Sequence, residues 1–209
     1  YRRHIFLLHP NKVVIYDELE ANEKVRWDWL LHSPVKFDIN PAASILTTVN
    51  KEKGFSSVVQ LFCEQEAAIT QTDKYAAPPN HADAQRGEDF TDPWSLTASF
   101  GPSRNNRILT IIQVEADGRQ AVQIMREGNT FRCGEWVIEA ELNAKRPGRL
   151  YIRNSRNNAV FSYGDKKPEI NGELYSCKEK DASVLFDCVN GEWTVQEMGD
   201  QRVQTMGKW

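Results

Sequence analysis

Apolar and polar residues alternate along most of this chain with a period of two, the mark of strands that bury one face. Runs rich in β-branched and aromatic residues predict strands at 3–9, 13–19, 25–31, 45–49, 57–63, 94–100, 108–115, 121–125, 136–142, 150–152, 159–163, 183–189 and 194–197. Turn formers separate the first three, Pro10-Asn11 and then Ala21-Asn22-Glu23. Asp117-Gly118, Asn171-Gly172 and Asn190-Gly191 are hairpin signals, because a type I′ turn needs positive φ at both central residues. Cys133-Gly134 marks a further bend. No window holds a 3.6-residue apolar stripe over three turns, so little helix is expected.

Many short strands at this spacing predict an all-β fold. The expected architecture is a two-sheet antiparallel β-sandwich, supersandwich-like, with room for a small additional sheet or barrel region. Composition shifts nowhere sharply enough to mark a boundary, so residues 1–209 read as a single domain. The stretch 73–93, with Pro78-Pro79-Asn80-His81, is polar and unpatterned and reads as a long surface connection.

The first hairpin offers the densest chemistry. A two-residue loop at Pro10-Asn11 would set Leu8 against Val13, Phe6 against Ile15 and His4 against Asp17. Directly opposed residues share a face, with Cβ atoms about 4.5–5.5 Å apart. An imidazole and a carboxylate at that spacing can hydrogen-bond or share a metal. His32, at the end of the run 25–31, is a third candidate, although a bulge or a non-sequential neighbour is needed to bring it alongside. Two His and one Asp suit zinc and leave a position for water. The other reading is a structural His4–Asp17 pair with His32 unrelated. Trp27 and Trp29 point the same way on one strand. They form either an aromatic platform for a sugar ring or part of the core.

Composition narrows the class. The formal net charge is -3 and no basic stripe appears, so a nucleic-acid partner is not expected. Arg2, Arg3 and His4 form the only tight cationic group near the start. No apolar run reaches the ~18 residues that a membrane-spanning helix requires. Cys63, Cys133, Cys177 and Cys188 are widely spaced without a CxxC pair. That pattern argues against a zinc finger and leaves either free thiols or disulfides. Tyr1 leads straight into strand-like sequence, which reads as an internal fragment whose N-terminal part is absent.

The segments Arg3-His4-Ile5-Phe6-Leu7, Val13-Val14-Ile15-Tyr16-Asp17-Glu18-Leu19-Glu20-Ala21 and Trp27-Asp28-Trp29-Leu30-Leu31-His32 resemble the β-sandwich portion of heparinase II/III-like polysaccharide lyases. The likeness covers residues 1–34. In such lyases a helical toroid precedes the β domain and the substrate cleft lies between them. The resemblance implies a parent that cleaves uronic-acid-containing polysaccharide by β-elimination, outside the cytoplasm, in the periplasm or extracellular space. Acid–base work there falls to Tyr and His, with an Asn near the carboxylate. The Asn and Tyr come from the toroid, so this chain alone is expected to be inactive. The β domain supplies a His, and a zinc-type site supports the fold. By position His4, Asp17 and His32 are the candidates for that metal. A carbohydrate-binding module and a purely structural or adhesive sandwich are the alternative readings.

Overall fold

The computed structural model describes residues 1–74, 93–116, 118–154, 159–165, 167–170, 173–177, 182–189, 192–198 and 203–206. The chain divides into two compact units, Tyr1–Ala121 and Val122–Trp209, each with its own antiparallel sheet. Composition marks no boundary there. Most of the polar stretch 73–93 lies outside the described residues. The expected all-β class holds: the only helical element among the described residues is a 3₁₀ turn, Pro41–Ala43.

The first unit contains β1 (Arg2–Leu8), β2 (Lys12–Ser33), β3 (Asp38–Asn40), β4 (Ile45–Asn50), β5 (Phe55–Phe62), β6 (Ala68–Thr72) and β7 (Trp94–Ala116). Their order is β1-β2-β7-β5-β4-β3, with β6 pairing β7. Where the pattern predicted four separate strands, β2 and β7 each run unbroken for 22 and 23 residues. The turn formers at 21–23 bend the ladder without ending it. The register shifts between Glu20 and Val25, and again between Val25 and Trp27. A bulge of this kind adds residues to one strand and sharpens its bend.

The facing strand bends at Gly101, whose φ is +106°. A Cβ at that position would lie 3.0 Å from the Ser103 nitrogen and 3.1 Å from the Val25 oxygen. Glycine is therefore required on both counts, conformation and space.

The bend folds one sheet over itself. Trp29, Leu96, Ala98 and Phe100, beyond it, join Leu46, Val59, Leu61 and Ile108, before it, in a single buried cluster. Two layers closed over a shared apolar core are the sandwich arrangement, reached here within one unit.

The second unit runs β8 (Met125–Glu127), β9 (Thr130–Cys133), β10 (Trp136–Ala140), β11 (Leu150–Asn154), β12 (Ala159–Tyr163), β13 (Glu169–Ile170), β14 (Glu173–Leu174), β15 (Ser183–Val189), β16 (Glu192–Met198) and β17 (Val203–Met206). Eight of these form a sheet in the order β17-β16-β15-β12-β11-β10-β9-β8, while β13 and β14 make a small sheet of their own. Val160, Tyr175, Val184, Phe186 and Val195 form its buried cluster. The Tyr175 hydroxyl donates to Glu197 Oε2 at 3.1 Å, so this core carries a satisfied polar contact.

The bend at Cys133-Gly134 is present, with Gly134 at φ +63° and β9 paired to β10 across it. Asn171-Gly172 and Asn190-Gly191 lie outside the described residues, but the strands flanking each pair antiparallel. The hairpin expected at Asp117-Gly118 does not form. Residues 118–124 hold no strand, Arg119 closes a turn onto Ala116, and β8 starts only at Met125. Asp117 itself lies outside the described residues.

Gly101→Ala should destabilise the first unit by about 1–3 kcal/mol, because the new methyl meets backbone in a conformation L-residues avoid. Urea unfolding checks this, with Gly118→Ala, where a Cβ meets nothing within 4 Å, as the comparison with a smaller loss.

Candidate functional site at the charged end of the first hairpin

Asn11 decides the register of the first hairpin. Its carbonyl accepts from the Val114 amide at 3.0 Å and its side-chain amide donates to Glu115, tying it to β7. Held there, Asn11 belongs to a three-residue connection, His9-Pro10-Asn11, rather than a two-residue loop. Leu8 pairs with Lys12, His4 with Tyr16 and Arg3 with Asp17. This is one residue away from the expected register, and a one-residue slip moves every side chain to the other face. His4 and Asp17 therefore lie on opposite faces of the sheet.

Asp17 is engaged by a different partner. Arg3 Nε donates to Asp17 Oδ1 at 2.6 Å and Arg3 Nη2 to Oδ2 at 2.9 Å, a two-pronged pairing that occupies both carboxylate oxygens. Asp17 is 1% exposed. On the other face Glu18 lies opposite Arg2 and Arg107, and Arg107 Nε approaches Glu18 Oε2 at 3.3 Å. Both faces at this end of the hairpin thus carry carboxylates countered by guanidiniums.

His4 shares its face with Glu18 and Tyr16. Its ring stacks on Phe6 at 6.4 Å and lies 6.2 Å from the Tyr16 ring. Burial pushes the imidazole pKa below its usual 6.5; nearby Glu18 and Asp17 raise it and Arg2 lowers it. The neutral imidazole is the form this environment favours. A neutral imidazole can accept a proton, whereas both carboxylates here are committed to arginines.

His32 is exposed beyond the bend, opposite Ser95. No cluster of three His, Cys, Asp or Glu able to hold a metal occurs among the described residues. The zinc set of His4, Asp17 and His32 does not fit this geometry. Register divides the first two between faces, and Arg3 saturates the carboxylate.

Trp27 and Trp29 do share a face, and it is the core face. Trp29 is 5% exposed within the buried cluster, and Trp27 packs against that cluster. The Trp27 indole donates to the Ser103 carbonyl at 3.2 Å and lies 3.1 Å from the Ser103 hydroxyl oxygen. Trp29 is closed to a sugar ring and Trp27 is partly covered and tied to Ser103, so the two do not make an open paired platform. The second layer laid down beyond the bend is the reason.

All four cysteines are free thiols. Cys63 Sγ donates to Asn106 Oδ1 at 3.1 Å, and burial raises its pKa, as befits a packing thiol. Sequence reasoning missed Arg107 altogether. It stands in a polar stretch just ahead of the run 108–115, where nothing local marks it, and its role appears once β7 lies beside β2.

No protein-family model matches this chain, and no curated protein matches it significantly.

Two outcomes follow from this geometry. Arg3→Ala should cost about 2–3 kcal/mol of stability, since it strands a buried carboxylate, and Arg3→Lys should recover part of that loss in urea unfolding. His4, held neutral when folded, is protonated first in the unfolded chain as pH falls below about 6.5. Its contribution is therefore complete above that pH and shrinks below it. The unfolding midpoint should drop less between about pH 7 and pH 5 in His4→Gln than in the parent sequence.

Proposed function

We propose that this chain is the accessory β domain of a polysaccharide lyase-like protein. That protein would cleave uronic-acid-containing polysaccharide by β-elimination in the periplasm or outside the cell. Its partner in that work is a helical domain of the same polypeptide, with the acidic polysaccharide as substrate. The observation that carries this reading is the uncovered row on β1. Ile5 and Leu7 are 62% and 67% exposed, alternating with half-buried His4 and Phe6. Large apolar side chains in a row on an edge strand are a surface that suits an apposed body. The resemblance to the lyase β domain is concentrated at the same hairpin.

His4 supports the reading chemically. β-Elimination requires removal of the proton beside the uronate carboxylate, protonation of the leaving glycosidic oxygen and a counter-charge for the carboxylate. This chain offers a half-buried imidazole held toward its neutral form, its Nε2 covered in the chain as it stands, with Arg2 nearby on the same face. Among the described residues beside His4, Tyr16 is fully buried and Glu18 is paired with Arg107, so neither serves as a second proton-transfer group. That division matches a domain that contributes to a reaction without completing it.

The test is release of the unsaturated uronate, read by ultraviolet absorbance. The chain alone should release none from heparin, hyaluronan or alginate, while the parent protein should release it from at least one of them. Ile5→Lys with Leu7→Lys in the parent should lower that activity severalfold without unfolding the β domain. Full activity from the chain alone would sink the accessory role, and an inactive parent would sink the lyase reading.

A further inference from the structure

The second unit carries a pair of arginines that no structural role absorbs. On β9 Arg132 lies opposite Val137 of β10, and Val137 lies opposite Arg153 of β11. Opposed residues share a face, so both guanidiniums rise from one side of the sheet with Val137 between them. The separation is two strand steps, roughly 9.5 Å at the attachment points. Val137 is buried while both arginines are exposed. Neither makes an ion pair with a described residue.

The neighbouring row on this face runs Glu127, Thr130, Glu139, Tyr151. Glu139 is diagonal to both arginines, within ordinary reach of a long side chain, yet pairs with neither. The face is therefore striped, with a cationic row beside a row bearing two carboxylates. An anionic chain laid along the arginine row, across the strands, meets both guanidiniums. One laid along the acidic row is repelled, which selects the arginine row.

We propose that Arg132 and Arg153 form a binding subsite for an acidic polysaccharide whose carboxylates recur on every second sugar. The guanidinium fork matches a carboxylate in two-pronged fashion. The spacing of the two attachment points is close to the repeat of a disaccharide in an extended glycan. In a polymer with a carboxylate on every sugar the alternate carboxylates meet the same spacing, and the intervening ones add negative charge beside Glu139. Thr130, half-buried on the same face, places a hydroxyl group beside the track, while the Tyr151 hydroxyl is already engaged by the Glu169 carbonyl at 3.4 Å. The choice of a uronate polymer among polyanions rests on the lyase-like reading above; the cationic row itself does not.

The experiment measures binding of the chain to hyaluronan oligosaccharides, polygalacturonate, dextran and a DNA duplex at low and raised salt. Hyaluronan should bind best, dextran not at all, and raised salt should weaken the binding. Arg132→Ala with Arg153→Ala should weaken hyaluronan binding about tenfold. Arg104→Ala, an exposed arginine of the first unit, should leave it unchanged. Both arginines are exposed, so an unaltered unfolding midpoint in the double variant separates loss of binding from loss of fold.

Undiminished binding by the double variant overturns the subsite and leaves the lyase reading standing. Equal affinity for DNA and polygalacturonate overturns the spacing argument and with it the proposal. Arginine-dependent hyaluronan binding together with an inactive parent sustains the subsite and removes the lyase reading.

Discussion

The antiparallel ladder between β2 and β7 is the constraint on which the first unit depends. It begins at Lys12 opposite Gln113 and ends at Ser33 opposite Trp94, crossing the bend on the way. Because the same two strands pass through both layers, the layers cannot separate without tearing the ladder. Each backbone group lost from a buried ladder carries a desolvation cost that its replacement by water does not meet inside a core. The bend itself is held from two sides. Gly101 supplies the space and the positive φ, and the Trp27 indole reaches across to Ser103 just after the turn. The indole is partly buried there, so its N–H must find an acceptor, and the bend supplies one.

The same ladder sets the chemistry at the far end of the hairpin. Turn preference alone favours a two-residue loop at Pro10-Asn11. The bonds from Asn11 to Val114 and Glu115 outweigh it, because they extend a long existing pairing instead of starting a new one. From that single step follow the facing pairs Arg3–Asp17 and His4–Tyr16, and the division of the two carboxylates between faces. A local turn is thus governed by a strand distant in sequence. A metal site that depends on His4 facing Asp17 is therefore lost with one residue of register.

This explains which features were legible. The period of two is imposed by burying one face of a strand, so it survives in any sequence that does so, and the all-β class could be read from it. Trp27 and Trp29 were visibly on one face, but which face depends on the layer formed by residues from β4, β5 and β7, information that no local window holds. The turn formers at Ala21-Asn22-Glu23 look the same whether they end a strand or bulge it. Only the matching bend at Gly101 on β7 distinguishes the two. Arg107 was invisible for the same reason, since its tie to Glu18 exists only through the register of two strands far apart in the chain.

The pairing of Arg3 with Asp17 also bears on what can approach β1. Both lie on the face that carries the exposed Ile5 and Leu7, backed by Ile15 and Val13 across the ladder. A bare carboxylate beside that row would have to be stripped of water by any apposed surface, and burying an unpaired charge costs several kcal/mol. Here the guanidinium has already replaced that water, with both oxygens of Asp17 accepting hydrogen bonds. A surface that meets β1 therefore covers apolar side chains without confronting a free charge. The ion pair that steadies the hairpin is thus also what leaves its edge ready to be covered.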